Sequence, residues 1–597
     1  MKKKSYLLHC LDGYRGWTFA AALFGGLEVV LEVLLPMLMS VLVDGGLDRQ
    51  KNYMLHALIP DSLFAQQEKF VLVIGGIMVG VACLSMLCGL LSARCAAISG
   101  QGFALNLRSN LLDKLQSFSF ANTDRFSTAS LITRATTDVN SVRMTMHQLL
   151  RALNRSPIML IMATVMAFLI SPRLALIFLV SIPLLAVILW VLMRVGQPRF
   201  KKMLVKMDDM NRSVQENLVS SRVVKAFVRG DYESERFEET TEDLRKAQLS
   251  TARLFTLMGP IQMGIMWGCT VLLLLIGGRE VIFQTTGLTR GELVSVVSYA
   301  TQAVSSLTMM SWLLMSLSRA QASAKRINEV FNETPDIRDG SSDAQVRDGS
   351  IDFEDVCFSY SGNADKLNLR HINLHINSGE TIGIIGGTGE GKSTFVNLIP
   401  RFYDTLSGTV RVGGVDVRDY RLKNLRDGVS MVLQNGTLFS GTIASNLRWG
   451  KADATLDEMK RACAIACADE YIDRFADGYE TVLEQNAANL SGGQKQRLRI
   501  ARAVIKQPKI LILDDSTSAV DMATDEHIRR ALRTALPGTT KLIIAQRIAS
   551  ILSCDRILVL DEGSLSDLGT HEELLQRSHI YRDVYDSQMR QEVTANG

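Results

Sequence analysis

The residues best suited to bind phosphate lie together in one short stretch of the sequence. An apolar run, Thr381–Ile385, comes directly before them. They read Gly386-Gly387-Thr388-Gly389-Glu390-Gly391-Lys392-Ser393-Thr394. This spacing is that of a P-loop, whose backbone N–H groups surround phosphates at the start of a helix. Lys392 would reach the β- and γ-phosphates and the Ser393 hydroxyl would ligate Mg²⁺. The stretch therefore predicts a site for ATP and Mg²⁺.

Glu390 has a charge that is unfavourable in such a loop. Its carboxylate adds an anion beside a bound polyphosphate. Because like charges at close range repel each other, we expect the side chain to point to solvent. We also expect it to weaken nucleotide binding slightly.

A second candidate for the metal site is a carboxylate at the end of an apolar run. Asp514 follows four aliphatic residues, Ile510-Leu511-Ile512-Leu513. By itself the pattern is that of an ordinary strand end. Together with the P-loop, it favours the Walker B role, in which a buried strand delivers a carboxylate to Mg²⁺.

An α/β domain is needed to position these motifs. From Ile351 onward, short apolar runs alternate with helical stretches, which is typical of such a domain. Residues 331–350 are rich in Asp, Ser and Gly and predict a linker. We therefore expect a nucleotide-binding domain over residues 351–587, followed by a polar tail over residues 588–597.

The first half of the chain has a different composition. The whole chain has 597 residues, of which 47% are hydrophobic and 21% charged. Its mean hydropathy of +0.14 suggests a membrane half joined to a soluble half. A disordered chain is excluded by the apolar content, and the net charge of +4 gives no reason to expect nucleic acid as a partner.

Six apolar stretches are candidates for membrane-spanning helices, which need about 20 mostly apolar residues. They run near Trp17–Val43, Phe70–Leu91, Ile158–Ile170, Leu174–Val195, Leu254–Ile276 and Leu293–Leu317. The fold class is therefore predicted as multidomain. An all-α transmembrane domain of six helices over residues 1–330, embedded in the lipid bilayer of the cell membrane, precedes the α/β domain.

The basic residues predict the orientation of these helices. Lysine and arginine are concentrated at the N-terminus and in the long segments between helices two and three and between helices four and five. The positive-inside rule places these segments and both termini in the cytoplasm. We expect the two long segments to be helical and to extend the spanning helices beyond the bilayer.

Two carboxylates of the first half and the nine cysteines of the chain lie outside the phosphate-binding motifs. Glu28 and Glu32 lie four residues apart in the first apolar stretch. Ionisable groups at membrane depth often mark a transport pathway, an interpretation that applies more to Glu28 than to Glu32. The alternative is that the two carboxylates face other helices and bond to backbone or polar side chains. None of the cysteines forms a C-x-x-C pair, so we interpret them as free thiols.

A further motif lies between the P-loop and Asp514. It reads Leu490-Ser491-Gly492-Gly493-Gln494 and is followed by Lys495-Gln496-Arg497. Here the sequence resembles the ATP-binding cassette (ABC) proteins, of which LSGGQ is the signature. Gln434 matches the glutamine of the family's Q-loop, which would be a metal ligand. Tyr360 matches the family's adenine-stacking aromatic residue, and residues 518–521 match its D-loop.

The resemblance covers nearly the whole chain. Six membrane helices ahead of one cassette look like a half-transporter of the multidrug-exporter type (type IV fold). In that family two cassettes meet head to tail, and each ATP site combines the P-loop of one chain with the LSGGQ of the other. Coupling helices in the cytoplasmic loops pass the motion to the membrane, and they would lie here near Ser117–Phe126 and Ser220–Phe227.

Two positions depart from the family pattern. Asp515 stands where active members have a glutamate that polarises water, and Gln546 stands where they have a histidine. A misplacement of roughly 1 Å can lower a rate by around 10²-fold, and glutamine cannot shuttle a proton. The resemblance then implies a degenerate site that binds ATP and hydrolyses it slowly. The intact LSGGQ would complete the active site of a second half-transporter, which carries the glutamate and the histidine.

These inferences lead to one main hypothesis on function. The chain is expected to be a subunit of a heterodimeric bacterial exporter that moves small amphipathic or apolar compounds out of the cytoplasm. The alternatives are a lipid, peptide or siderophore transporter, with import conceivable, and a regulatory ABC protein in which nucleotide binding gates a channel or signals to another protein. The six apolar segments exclude a soluble DNA-repair ATPase.

Overall fold

The computed structural model describes residues 6–48, 66–284, 286–434, 436–516 and 519–595. The chain forms two compact units. The first comprises residues 1–116 and 128–333, and the second comprises residues 117–127 and 334–597. The division after residue 333 falls inside the predicted linker.

In the described part of the first unit, all regular structure is helical. Its helices are α1 (Tyr6–His9), α2 (Arg15–Val41), α3 (Gln67–Gln116), α5 (Thr128–Thr133), α6 (Val139–Gln148), α7 (Asn154–Ile170), α8 (Pro172–Val219), α9 (Ser221–Ala226), α10 (Gly230–Thr256), α11 (Met258–Phe283) and α12 (Arg290–Asn332). Side-chain caps set several boundaries. Ser171 caps α8 with Pro172 in its first turn, and Thr289 forms a capping box with Glu292 at the start of α12.

Within the described ranges, six helical stretches are long and apolar enough to cross a membrane. They are Arg15–Leu47, Gln67–Gln116, Thr128–Ile170, Pro172–Val219, Gly230–Phe283 and Arg290–Met310. The predicted number of spans is confirmed. Helix α3 has 50 residues and is therefore about 75 Å long, well beyond the thickness of a bilayer.

Helix α12 packs against α2 around a proline. Pro36 lies inside α2, where it cannot donate a backbone hydrogen bond. Two carbonyl groups of the same segment accept from α12: Ser295 Oγ donates to the carbonyl of Pro36, and Tyr299 Oη donates to that of Val33 over 2.9 Å. The apolar core around them includes residues of α2, α7, α8, α11 and α12.

Glu28 and Glu32 both form ion pairs with the same residue of another helix. Arg155 of α7 approaches Glu28 Oε1 at 3.4 Å and Glu32 Oε2 at 2.7 Å. The two carboxylates are therefore bonded to a neighbouring helix, as the second interpretation expected. The cluster has two negative charges and one positive charge.

The second unit is the α/β part of the chain. Its strands are β1 (Ile351–Phe358), β2 (Leu369–Ile376), β3 (Thr381–Ile385), β4 (Ser407–Val412), β5 (Val415–Asp416), β6 (Val429–Val432), β7 (Gly441–Thr442), β8 (Val482–Leu483), β9 (Ile510–Asp514), β10 (Thr540–Ile544), β11 (Arg556–Asp561) and β12 (Ser564–Gly569). The main sheet has the order β12-β11-β3-β10-β9-β6, and β11, β3, β10, β9 and β6 run parallel. Buried β3 and β9 therefore end at the same edge.

Helices cover the sheets of this unit. They are α4 (Phe120–Phe126), α13 (Lys392–Leu398), α14 (Leu422–Gly428), α15 (Ile443–Leu447), α16 (Leu456–Ile465), α17 (Asp469–Ile472), α18 (Gly492–Val504), α19 (Met522–Ala535), α20 (His571–Arg577) and α21 (His579–Ala595). The core on one side of the main sheet includes residues of α16, α18, β9 and β11.

The short helix α4 belongs to this second unit although its sequence lies in the first half of the chain. The ring of Phe120 packs against Phe402 with centroids 4.5 Å apart. Tyr403 Oη donates to Asp124 Oδ2 at 2.9 Å. A helix is thus present in each predicted coupling segment, α4 in the first and α9 in the second.

Candidate functional site

The predicted P-loop connects β3 to α13. Gly389 and Gly391 have φ values of 92° and 90°, a left-handed conformation that favours glycine. A Cβ atom at Gly391 would lie 2.8 Å from the carbonyl oxygen of Asn368, so a larger residue has no room there. The predicted order of strand, glycine-rich turn and helix is confirmed.

Lys392 opens helix α13 and turns back over the loop. Its ammonium group donates to the carbonyl oxygens of Gly386 at 2.9 Å and Gly387 at 2.6 Å. Burial lowers the pKa of Lys392. Three carboxylates partly oppose this effect, those of Glu390, Asp514 and Asp515. The side chain is therefore held at the loop, where it can exchange carbonyl partners for phosphate oxygens.

Asp514 ends strand β9 beside the P-loop. Ser393 Oγ donates to Asp514 Oδ1 at 3.1 Å. Burial raises the pKa of Asp514, and the neighbouring charge of Asp515 acts in the same direction. Hydroxyl and carboxylate oxygens are suitable ligands for Mg²⁺, and phosphate oxygens and water usually complete its coordination. The two residues therefore fit the metal site predicted for them.

Glu390 does not extend into solvent, and that expectation is wrong. Its Oε2 accepts a hydrogen bond of 2.5 Å from the backbone N–H of Gly387. The carboxylate lies so close to the loop that a Cβ at Gly386 would come within 2.8 Å of Oε2. The reason is that backbone N–H groups of a glycine-rich turn attract any nearby anion, including one from the loop itself.

The two positions that depart from the family pattern contact each other. Gln546 Nε2 donates to Asp515 Oδ2 at 2.8 Å, and Gln434 Nε2 donates to the same oxygen at 3.2 Å. Asp515 is 9% exposed and has a positive φ of 46°. The carboxylate is therefore held by two amides from different loops. Gln434, predicted as a metal ligand, directs its amide nitrogen to Asp515.

Sequence reasoning missed one residue of this network. Gln588 of α21, predicted to belong to a polar tail, donates from Nε2 to the carbonyl oxygen of Gln546 at 2.8 Å. Its Oε1 accepts from the backbone N–H of Ile548 at 2.8 Å. No motif marks Gln588, because its role depends on where α21 lies in the fold.

Tyr360 lies two residues after the end of β1 and is half exposed. Its hydroxyl is 3.1 Å from Thr394 Oγ1, which joins it to the first turn of α13. Its ring meets Phe358 and Tyr403 edge to face at 4.9 and 5.1 Å. An exposed ring fixed beside the phosphate loop is suited to stack on a base.

The LSGGQ segment starts helix α18. Ser491 caps this helix, and its backbone N–H donates to Gln494 Oε1 at 2.8 Å in a capping box. Ser491 and Gly492 are exposed, and the backbone carbonyl of Gln494 accepts from Tyr471. The structure thus brings together the P-loop, Asp514, Asp515, Gln434 and Gln546. The side chains of Ser491 and Gln494 instead bond to each other's backbone N–H groups at the start of α18. Ser518 of the predicted D-loop lies outside the described residues.

Comparison with known families gives two matches along the chain. Residues 18–307 match the model of the ABC transporter transmembrane region. Residues 369–518 match the ABC transporter model. The matches occur in the order predicted from the sequence.

Several curated proteins are similar over most of their length. An uncharacterized ABC transporter ATP-binding protein of Bacillus subtilis, YfiB, is 37% identical over 95% of both chains. An ATP-dependent lipid A-core flippase of Desulfotalea psychrophila is 34% identical over 77% of this chain and 80% of its own. A solved bacterial Atm1-family ABC exporter with ATP bound covers 96% of this chain and 99% of its own, with a TM-score of 0.79 and 23% identity. This last likeness confirms the predicted fold class.

Proposed function

Because this chain belongs to the ABC transporter family and has the membrane domain and ATP-binding cassette of a half-transporter exporter, we propose that it is the degenerate-site subunit of a heterodimeric exporter. Its own P-loop site binds ATP and Mg²⁺ and hydrolyses ATP slowly. Its LSGGQ segment completes the active site of a partner half-transporter. Both termini lie in the cytoplasm, in keeping with the distribution of lysine and arginine.

The observation that carries this proposal is the network around Asp515. A carboxylate that polarises water needs a free oxygen close to the γ-phosphate. Asp515 is one methylene shorter than glutamate, and its Oδ2 already accepts from Gln434 and Gln546. Gln546 in turn cannot carry a positive charge or relay a proton. Aspartate at position 515 and glutamine at position 546 both lower the rate of ATP hydrolysis, and neither removes a group that binds ATP.

The proposed cargo consists of amphipathic or apolar compounds. The spans are apolar, and the polar cluster of Glu28, Glu32 and Arg155 lies among them. A lipid cargo is the second candidate, because curated relatives from Desulfotalea psychrophila and Haemophilus influenzae are named lipid A-core flippases. A panel of both compound classes, tested with both chains reconstituted in vesicles, distinguishes these candidates.

The heterodimer itself is tested with the purified chain. We expect the chain alone to hydrolyse ATP slowly, because any homodimer has Asp515 and Gln546 in both sites. Adding the partner chain should produce robust hydrolysis and transport. Robust hydrolysis and transport by the lone chain would contradict the proposal. Vesicles with lone chain, lone partner and both chains give the complete comparison.

A further inference from the structure

The side chain of Glu390 occupies part of the loop that should receive phosphate. Its Oε2 accepts from the backbone N–H of Gly387 at 2.5 Å. Its other oxygen lies against the Cα of Gly387 on the side where a Cβ would stand. The loop thus accommodates this carboxylate only because Gly386 and Gly387 have no side chains.

The same carboxylate acts on the cation of the loop. Of the charges that counter the lowered pKa of Lys392, Glu390 has the largest effect, ahead of Asp514 and Asp515. Lys392 meanwhile donates to the carbonyl oxygens of Gly386 and Gly387, the residues that also flank the carboxylate. The loop therefore has both an anion on its N–H side and a cation on its carbonyl side, and both come from its own side chains.

We propose that Glu390 is an internal competitor of the nucleotide's phosphates and so determines the affinity of this site for ATP. The inference rests on the proposed function only in that the P-loop binds ATP. The carboxylate holds the Gly387 N–H group. An incoming triphosphate displaces it, and the loss of this charge-assisted hydrogen bond weakens binding.

Displacement leaves the charge of Glu390 near the bound phosphates. Mg²⁺ neutralises part of the phosphate charge, so repulsion by the carboxylate is smaller for Mg²⁺-ATP than for free ATP. Salt screens the interaction between such partly exposed groups. The competition should therefore be strongest at low ionic strength and without Mg²⁺. These dependences distinguish an electrostatic competitor from a residue that only shapes the loop.

The test measures ATP affinity of the full-length chain in lipid nanodiscs. Glu390→Ser removes both the charge and the hydrogen bond, and it should tighten ATP binding by about tenfold, which corresponds to about 1.4 kcal/mol. Glu390→Gln keeps an oxygen that can accept from Gly387, so it should tighten binding less. Both effects should grow when Mg²⁺ is omitted and shrink in high salt. Glu572→Gln, which removes an exposed carboxylate from α20, is the matched charge control and should leave the affinity unchanged.

The outcomes separate this inference from the proposed function. Glu390→Ser and Glu390→Gln are compared in chains whose thermal unfolding matches that of the wild type. If both variants bind ATP no more tightly than the wild type, Glu390 stabilises the loop and does not compete with the phosphates. If the Lys392→Ala variant also binds ATP as tightly as the wild type does, the P-loop is not the nucleotide site. In that case the proposed function fails first, and the inference about Glu390 fails with it.

Discussion

Asp515 and Gln546 form one hydrogen-bonded pair, although each departs separately from the family pattern. Gln546 donates to the Asp515 oxygen over 2.8 Å. A glutamate at position 515 would be one methylene longer, and the amide of Gln546 already contacts the shorter side chain. Asp515→Glu alone leaves this glutamine beside the carboxylate, and Gln546→His alone leaves the carboxylate one methylene shorter than that of glutamate.

This contact leads to a prediction about the proposed slow site. Asp515→Glu combined with Gln546→His should raise ATP hydrolysis at this site by up to about 10²-fold, more than either change alone, because both groups act on one transition state. Phosphate release is measured in a heterodimer whose other site is disabled. Asp453→Glu adds the same methylene at an exposed position and should have no effect. A double variant no faster than the wild type would place the defect outside this pair, for instance in the partner's signature.

At the scale of elements, the pairing of α2 with α7 depends on a shared cation. Arg155 donates to Glu32 at 2.7 Å and lies 3.4 Å from Glu28. Two carboxylates in an apolar span are costly unless they are paired. The arginine therefore stabilises the packing of the two helices.

Removing this cation should destabilise the membrane domain. Arg155→Gln leaves both carboxylates without their ion pair, and we expect a lower temperature of thermal unfolding in nanodiscs. The loss should be below the 3–5 kcal/mol typical of a fully buried pair, roughly 1–3 kcal/mol, because the Arg155 side chain is 31% exposed. Adding Glu28→Gln and Glu32→Gln to the variant should restore part of the stability. If the triple variant is less stable than Arg155→Gln, the carboxylates have other essential partners.

The short helix α4 shows how an element can belong to one unit in space and to the other in sequence. It follows α3 and precedes α5, yet it packs on Phe402 and Tyr403 of the α/β unit. The chain thus enters the α/β unit at α4 and leaves it again before α5, and a role of α4 in coupling stays a prediction.

At the scale of the whole molecule, the proposal requires two chains to share each ATP site. Lys392 would hold ATP in the slow site, whereas the LSGGQ of this chain would contact ATP bound by the partner. Ser491 caps α18, and a Cβ at Gly493 would lie only 3.0 Å from the carbonyl oxygen of Ala519, so changes at either position also strain the fold. A Cβ at Gly492 would have an ordinary contact of 3.6 Å.

Gly492→Asp is therefore a better controlled test than Ser491→Arg, and the two variants are measured together. In the proposed heterodimer at saturating Mg²⁺-ATP, both variants should reduce steady-state hydrolysis nearly to background, because they would place charge or bulk against the phosphates bound by the partner's P-loop. Lys392→Ala should reduce transport and nucleotide occupancy yet leave measurable hydrolysis. Rate and occupancy are measured together. The reverse ranking would make this chain's own P-loop the working site and would contradict the interpretation of Asp515 and Gln546.

The sequence by itself was sufficient to predict the two kinds of domain, the six spans and the phosphate loop. Each of these depends on residues that are close together along the chain. Twenty apolar residues predict a spanning helix wherever they occur, and the glycines of the loop have φ values that follow from the turn between β3 and α13. Asp514 was also predictable, because an apolar strand places its last residue at the sheet edge.

Only the tertiary structure decided which side chains these residues contact. Glu390 turns back to Gly387 instead of pointing to solvent, because the backbone N–H groups of the folded loop attract its carboxylate. Gln434 and Gln546 meet at Asp515 from positions 81 and 31 residues away in the sequence. Arg155 reaches Glu28 and Glu32 across a separation of more than 120 residues, and no local pattern indicates such a pairing. Hydrophobic periodicity and turn chemistry act between near neighbours, whereas the direction of a charged or amide side chain depends on the partners that packing brings within hydrogen-bond distance.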